Sequence, residues 1–301
     1  MSGYTLGATE VADTFAEAFP MRYARLLITA DTPAWAHEAA RSATGFATSV
    51  IGCKCEAAIE RPLPDGQTPD GRPGIAVLLF AMDRESVGKR VLDRVGQCVM
   101  TCPTTACFDG FEGAEKTVAL GAGLRYFGDG FQASKVIAGR RFWRIPVMEG
   151  EFLVGDTVGV GEGVGGGNLV IGAADDPAAL AAAQAAADAV RGEGIALPFP
   201  GGIARSGSKV GALTSSSMPA STNHQMAPTL RAQVDDTLVP EGVAALFEIV
   251  IDGVSEEAVR EAMRRGLHAA AGAGATHVSA ANFGGKLGEF HFPLTDLRNP
   301  P

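Results

Sequence analysis

Lysine and aromatic residues are scarce in this sequence, and acidic residues outnumber basic ones. Only six of the 301 residues are lysine, aromatic side chains account for 7%, and the formal net charge is -9 at pH 7. Nucleic-acid binding depends on clustered Lys and Arg that neutralise phosphates. The composition therefore argues against a nucleic-acid partner, while it leaves room for an acidic substrate held by a local basic pocket.

Long apolar runs are also missing, and cysteine is present in a small odd number. No run approaches the roughly 20 apolar residues that cross a bilayer. The segment from Met1 to Phe19 has acidic residues and no basic region before an apolar stretch, so it does not resemble a secretory signal. The five cysteines suit reduced thiols better than a disulfide framework. We expect a cytoplasmic protein with no membrane partner.

Strand and helix patterns alternate in two halves that follow the same order. In the first half the pattern predicts strands at 23–29, 48–59 and 74–82, one within 118–127, a hairpin at 133–145, and helices at 34–43 and 84–100. In the second half it predicts strands at 168–173, near 195 and 210, and at 243–251 and 276–280, with helices at 178–190 and 256–270.

The first helix of each half opens in a similar way, with Thr32-Pro33 and with Asp176-Pro177. Two tandem βαβ–βαβ units imply an α+β fold of two ferredoxin-like (split βαβ) lobes related by duplication. We expect the lobes to span residues 1–148 and 149–301.

A glycine-rich stretch, Gly161-Glu162-Gly163-Val164-Gly165-Gly166, matches the dinucleotide-binding pattern GxGxxG. That pattern binds pyrophosphate only where a strand precedes it and a helix follows it. Here the next residues, 168–171, are strand-like, which disfavours a nucleotide site.

The sequence Ser206-Gly207-Ser208-Lys209 fits the SxxK pattern of acylating serine enzymes. That chemistry needs the serine at a helix start, whereas the flanking glycines indicate irregular backbone. A serine amidohydrolase using Ser206 or Ser208 stays as an alternative enzyme.

Metal-ligand spacing is not evident. Cys53 and Cys55 fall in a predicted strand, so their thiols point to opposite faces. The five histidines form neither HxH nor HExxH. We expect no metal in this chain.

Glu248 interrupts an apolar run, Leu246-Phe247-Glu248-Ile249-Val250-Ile251, that is typical of a central strand. Burying a carboxylate is costly unless it is paired or protonated. Such a carboxyl has a raised pKa, which suits proton transfer near neutral pH. An edge position facing solvent or a structural ion pair also fits the pattern. The loop Pro198–Gly202 likewise fits either a close approach to a flat ligand or a plain turn.

Several separate blocks resemble one known family, in that family's order and across nearly the whole chain. They are Asp13-Thr14-Phe15-Ala16-Glu17-Ala18-Phe19, Pro69-Asp70-Gly71-Arg72-Pro73-Gly74, Gly96-Gln97-Cys98-Val99-Met100-Thr101, Pro146-Val147-Met148-Glu149-Gly150, Pro198-Phe199-Pro200-Gly201-Gly202-Ile203, Ser206-Gly207-Ser208-Lys209-Val210-Gly211 and Asn282-Phe283-Gly284-Gly285-Lys286-Leu287-Gly288. The family is formylmethanofuran–tetrahydromethanopterin formyltransferase.

The resemblance implies a homotetrameric core, tetrahydromethanopterin and a methanofuran-type carrier as co-substrates, and no bound prosthetic group or metal. It also implies that Glu248 is the catalytic carboxyl and that segment 198–209 forms a wall of the carrier cleft. The substrate-binding residues expected there are Phe199, Pro200, Gly201, Gly202, Ser206, Ser208 and Lys209.

One departure concerns the stretch Leu213-Thr214-Ser215-Ser216-Ser217-Met218, which is neutral where methanogen members are expected to have lysines. This departure resembles the bacterial methylotroph branch, in which the enzyme is one component of a formyltransferase/hydrolase complex with a zinc-dependent hydrolase on another chain. The reaction then runs from formyl-tetrahydromethanopterin towards the methanofuran-type carrier, whose formamide is hydrolysed to formate. A non-catalytic scaffold subunit of such a complex is the alternative outside enzymes.

Overall fold

The computed structural model describes residues 3–111 and 113–301. Within these residues the α-helices are α1 (Pro33–Thr44), α2 (Val50–Cys53), α3 (Arg84–Arg94), α4 (Gly121–Leu124), α5 (Asp176–Val190) and α6 (Glu256–Gly272). A π-helical turn covers Val95–Val99, and 3₁₀ turns cover Arg125–Gly128, Pro200–Gly202, His224–Met226, Pro228–Leu230 and Leu294–Leu297.

The strands of the described residues are mostly short. In chain order they are β1 (Tyr4–Leu6), β2 (Thr9–Val11), β3 (Phe15–Thr29), β4 (Thr48–Ser49), β5 (Cys55–Leu63), β6 (Gly74–Ala81), β7 (Ala106–Asp109), β8 (Thr117–Ala119), β9 (Ala133–Ile137), β10 (Arg140–Val147), β11 (Gly150–Gly155), β12 (Thr157–Gly159), β13 (Gly161–Ala173), β14 (Ile195–Ala196), β15 (Ser208–Val210), β16 (Ala220–Thr222), β17 (Ala245–Gly253), β18 (His277–Ser279) and β19 (Phe290–Pro293).

The chain forms two compact units from discontinuous segments. Unit I comprises Met21–Gly163 and Gly192–Pro198, and unit II comprises Met1–Pro20, Val164–Arg191 and Phe199–Pro301. These units differ from the continuous halves that the sequence suggests, because each takes a segment from the other half. The boundary between residues 148 and 149 stays a prediction.

Unit I contains an antiparallel sheet in the order β7–β3–β6–β5. Helix α1 follows β3, and α3 connects β6 towards β7. This order of strands and helices is the split βαβ arrangement of a ferredoxin-like lobe, as predicted.

The helices of unit I pack on the sheet through small and β-branched residues. Thr32 caps α1 by accepting a hydrogen bond from Trp35 N at 3.3 Å, and Pro33 takes the first helical position, as predicted. The face that α1 buries consists of alanines (Ala36, Ala39, Ala40 and Ala43). Helix α3 buries Val87 and Val91. Small side chains on α1 allow its axis to lie close to the sheet.

Unit II repeats the order around β13, which pairs antiparallel with β17 on one side and β18 on the other. Helix α5 follows β13, and α6 connects β17 to β18. Asp175 and Ser255 cap these helices. A Cβ at Gly167 of β13 would lie 2.4 Å from Val259 Cγ1 on α6, so glycine allows that helix to approach the strand. The fold is therefore the predicted α+β class. Unit II has the order β13–α5–β17–α6–β18, and the strand that follows α5 in the chain, β14, falls in the segment Gly192–Pro198 of unit I.

Two local predictions were wrong or incomplete, and a third was confirmed. The strand predicted at 48–59 is interrupted by α2, so Cys53 lies in a helical turn, and Lys54 takes a left-handed conformation with φ 67°. The strand predicted within 118–127 is wrong, because β8 ends at Ala119 and helical turns follow. The fourth strand of unit I is instead β7. The GxGxxG stretch lies within strand β13, which confirms that no helix follows it.

Among the described residues, no helix combines the length and apolar character needed to cross a membrane.

Candidate functional site

Strand β17 fixes the backbone of Glu248 from both edges. Glu248 lies opposite Val170 of β13 on one edge. On the other edge Glu248 N donates to Ala204 O at 2.9 Å, and Ala204 N donates to Glu248 O at 2.7 Å. Both backbone groups of Glu248 thus bond to Ala204, and Val170 faces Glu248 on the other edge of the strand, so β17 has a neighbour on each side here, as the apolar run predicts for a central strand. Its position is set by the sheet and not by contacts of its own side chain.

The two faces of β17 differ in burial. Ile249 and Ile251 are fully buried on one face. Glu248 lies on the other face, which is only half-buried because Leu246 and Val250 are half-buried as well. The carboxyl is at the border between the core and an open cleft.

The carboxyl of Glu248 is unpaired. Within residues 3–111 and 113–301, no side chain or amide forms a hydrogen bond or ion pair with it, so the structural ion pair left open by the sequence is not formed. Burial raises the pKa of Glu248 to about 7 from the ordinary 4.5. A carboxyl with this pKa exchanges protons near neutral pH, which is the property required of a general acid and base.

Glu248 lines a cleft of about 820 Å³ in unit II. The elements around it are the start of α5, the segment that leads into β15, the end of β16 with the turn after it, and β17. Its polar lining consists of Asp176, Arg205, Ser206, Ser208, Thr222, Asn223, Thr229 and Glu248. The cleft has room for a sizeable organic substrate, since ligand pockets commonly enclose about 300–1,000 Å³.

Two of the predicted wall residues, Ser206 and Ser208, lie in this cleft with Glu248. The other five do not line it. Phe199, Pro200, Gly201 and Gly202 belong to the preceding 3₁₀ turn, where Gly201 has φ 67° and its carbonyl accepts from Arg191 at 2.8 Å. The side chain of Lys209 is held by His224, with Nζ 2.8 Å from Nδ1. Their contact with substrate stays a prediction.

The SxxK alternative lacks the geometry that it needs. Ser208 and Lys209 lie in strand β15, and Ser206 precedes that strand instead of starting a helix. Since Lys209 is engaged by His224, it does not serve as a base for either serine. The arrangement therefore favours carboxyl chemistry over a serine nucleophile.

Five polar lining residues were not predicted as site residues from the sequence, namely Asp176, Arg205, Thr222, Asn223 and Thr229. Arg205 is exposed and has no ion pair or hydrogen bond with any described residue. Asn223 follows β16 and is half-buried. Arg205 could have been noted as the cation next to Ser206, but the sequence carries no signal for Asn223, which the chain brings to the cleft from the far side of a hairpin.

No group of three or more His, Cys, Asp or Glu side chains suited to a metal ion occurs among the described residues. All five cysteines are free thiols.

Comparisons with known proteins agree with this architecture. Residues 5–147 match the family model described as "Formylmethanofuran-tetrahydromethanopterin formyltransferase", and residues 150–297 match one described as "FTR, proximal lobe". The chain is 52% identical over 297 residues to the formylmethanofuran–tetrahydromethanopterin formyltransferase of Methylococcus capsulatus, covering 97% of this chain and 99% of that protein. It is 49% identical over 312 residues to a subunit of the formyltransferase/hydrolase complex of Methylorubrum extorquens, covering 100% and 99%.

Solved structures show the same likeness. A chain of the formyltransferase/hydrolase complex (FhcABCD) from Methylorubrum extorquens, solved with methylofuran, superposes with a TM-score of 0.95 at 47% identity and full coverage of both chains. The Methanosarcina barkeri formyltransferase gives a TM-score of 0.92 at 44% identity, covering 98% of this chain and 100% of that one.

The two-lobed α+β fold, the family models and the relatives thus define an enzyme of the formyltransferase class. The chain belongs to the formylmethanofuran–tetrahydromethanopterin formyltransferase family.

Proposed function

We propose that this protein transfers a formyl group between the amine of a methanofuran-type carrier and a nitrogen of tetrahydromethanopterin, with Glu248 moving the proton. The observation that carries the proposal is the half-buried Glu248 carboxyl, which lines the cleft without a partner and has a pKa raised to about 7 by burial. Family membership supplies the two carriers.

The reaction needs one group that first accepts and then donates a proton. The attacking nitrogen loses a proton as it bonds to the formyl carbon, and the leaving nitrogen gains one as its bond to that carbon breaks. A carboxyl with a pKa near 7 serves both steps, because neither of its protonation states is strongly favoured at neutral pH. No covalent bond to the protein is required, in keeping with the lack of a serine–base pair in the cleft.

The wall residues position the carriers. Ser206 and Ser208 supply hydroxyls inside the cleft. Phe199, Pro200, Gly201, Gly202 and Lys209 lie outside this cleft, and we infer that they contact the remainder of a large carrier. Holding both carriers in one orientation lowers the entropic cost of bringing them together. The identity with the Methylorubrum extorquens complex component supports assembly with hydrolase subunits. We also infer a homotetrameric core and a cytoplasmic location in a methylotroph. In such a complex the net reaction runs from formyl-tetrahydromethanopterin towards the methanofuran-type carrier, whose formamide is hydrolysed to formate.

The test replaces Glu248 by Gln, which preserves shape and removes the titratable proton. Because general acid–base catalysis contributes about 10²–10⁴ in rate, Glu248→Gln should lose transfer by that factor while its unfolding temperature stays near that of the parent. Glu241→Gln, at an exposed position in the same unit, is the matched control and should keep full activity. Transfer by Glu248→Gln at the parental rate would remove Glu248 from the mechanism.

The scaffold alternative has its own outcome in the same assay, because the FhcABCD relative is a complex. Purified chain with both carriers should transfer formyl unaided. If the chain is inactive alone, and hydrolase subunits restore formate release equally to parent and Glu248→Gln, the chain acts as a scaffold.

A further inference from the structure

Asn223 is the second half-buried polar side chain in the Glu248 cleft. The other polar side chains of its described lining, namely Asp176, Arg205, Ser206, Ser208, Thr222 and Thr229, are exposed to solvent. Charges and dipoles away from water act more strongly on a reacting group, because solvent screens them less. Glu248 and Asn223 are therefore the two lining residues placed to influence the chemistry itself.

The backbone around Asn223 is held on both sides. Asn223 N donates to Gly207 O at 2.6 Å, and Asn223 O accepts from Met226 N at 3.1 Å. The neighbouring His224 is fixed by Lys209 at 2.8 Å. Asn223 is thus preorganised by the same hairpin that carries Ser208.

The side-chain amide of Asn223 is unsatisfied at both ends. Its Oδ1 is buried without a hydrogen-bond partner in the described residues. Its Nδ2 is not enclosed, and no described residue accepts a hydrogen bond from it. Buried polar atoms without partners are rare in native proteins and call for an explanation. The backbone of Asn223 is held in place and its Nδ2 has no acceptor among the described residues, so this nitrogen is free to donate a hydrogen bond to a ligand in the cleft.

We propose that Asn223 Nδ2–H donates a hydrogen bond to the formyl oxygen as that oxygen becomes an oxyanion. The inference rests on the proposed formyl transfer. The attacking nitrogen gives its lone pair to the formyl carbon, and the C=O π pair moves onto oxygen, where Asn223 meets the developing negative charge. The attacking nitrogen's proton passes to Glu248.

Collapse of the intermediate reverses the charge. The oxygen pair re-forms C=O, the bond to the leaving nitrogen breaks with its electron pair, and that nitrogen takes the proton from Glu248. Asn223 stays neutral throughout and exchanges no proton. It therefore acts on the oxygen, while Glu248 acts on the two nitrogens.

The experiment compares parent, Asn223→Ala and Asn223→Ser in steady-state transfer with both carriers. Loss of one oxyanion donor costs about 10²–10³ in kcat, so Asn223→Ala should lose that factor while KM for each carrier changes by less than about threefold. The pH midpoint of kcat/KM should stay where Glu248 sets it. Asn223→Ser keeps a shorter donor and covers the case in which the alanine variant does not fold. Asn299→Ala, at an exposed position, is the control.

Replacing the formyl oxygen of the carrier by sulfur distinguishes a role in catalysis from a purely structural role of Asn223. A thioformyl carrier has a C=S group, which accepts hydrogen bonds weakly. The rate loss caused by Asn223→Ala should therefore be much smaller with the thioformyl carrier than with the formyl carrier. Two results would overturn the role of Asn223 while leaving the proposed formyl transfer intact. One is an equal rate loss with the formyl and thioformyl carriers, and the other is a parental kcat of Asn223→Ala with the formyl carrier. Absence of any transfer by the parent protein would overturn the proposed function and this inference together.

Discussion

Two carboxyls of unit II, those of Glu17 and Glu248, are both removed from bulk water yet have opposite properties. Glu17 in β3 is 1% exposed. Its two oxygens accept four backbone hydrogen bonds, from Phe283, Gly285, Leu287 and Gly288, at 2.6–2.8 Å. Burial acts to raise the pKa of Glu17, but these four bonds outweigh it and lower the pKa to about 2. The carboxyl of Glu248 accepts no hydrogen bond from any described residue, and burial raises its pKa to about 7.

The difference shows what decides the role of an enclosed acid. Backbone N–H groups stabilise the charged form, so Glu17 is a permanent anion that holds the loop 282–288 in place. Without such donors the two protonation states of Glu248 are close in free energy. The first carboxyl is suited to structure and the second to proton transfer.

The largest effect on stability should come from Glu17→Gln. Whichever way the new amide is turned, its NH₂ group faces two of the four backbone donors, which lose their acceptor in a buried site. A buried donor without a partner costs about 1–3 kcal/mol, so we expect a loss of about 3 kcal/mol in the free energy of unfolding. Urea unfolding monitored by circular dichroism measures it. If the urea midpoint is unchanged, the four bonds do not stabilise the fold and the comparison fails.

The next effect is a difference in pH dependence. The folded-state pKa of Glu17 is depressed to about 2 from 4.5, so its contribution to stability is present above pH 4.5 and is lost as the pH falls towards 2. The folded-state pKa of Glu248 is raised to about 7, so its ionisation opposes folding above pH 7, and stability is regained as the pH falls from 7 to 4.5. The free energy of unfolding, measured from pH 8 to 3, should rise as the pH falls from 7 to 4.5 and then decrease at lower pH. Glu248→Gln should remove the rise and leave the decrease due to Glu17.

Activity should follow the same ionisation. In the proposed mechanism the charged form of Glu248 accepts the first proton, so kcat/KM should fall about tenfold per pH unit below pH 7. A profile that is flat from pH 5.5 to 8 would show that no group with this pKa takes part in the rate-limiting step.

The smallest effect on the free energy of unfolding should come from an exposed acid. Glu241 is exposed, and Glu241→Gln should change the free energy of unfolding by less than about 0.5 kcal/mol, as most surface substitutions do. This value is the baseline for the other two variants. A larger change would mean that net charge, and not the local surroundings of each carboxyl, dominates the comparison.

The sequence predicted what depends on local pattern. Thr32-Pro33 marks a helix start because a capping side chain and the first turn are adjacent in the chain. Glu248 was recognisable because it breaks an apolar run. The fourth strand of unit I was misplaced because β7 has only four residues, Ala106–Asp109, too few for a periodic signal.

Features that depend on contacts distant in sequence could not be predicted. The donors to Glu17 are separated from it by 266 to 271 positions, so no spacing reveals them. The same limit applies to Asn223, whose place beside the cleft depends on the pairing of β15 with β16. Of the predicted wall, only the two serines line the cleft, because the tight turn at Gly201 separates Phe199 and Pro200 from it along the chain.

The two-sided backbone pairing of Glu248 has a consequence for how such proteins diverge. Since the main chain of Glu248 and Ala204 forms the bridge, a single codon change can delete the acid without disturbing a sheet hydrogen bond. A gene copy that has lost catalysis would still encode a foldable subunit available for assembly roles. If Glu248 moves the proton as proposed, the identity of this one side chain on β17 is a sharper guide to activity than sequence likeness across the whole chain.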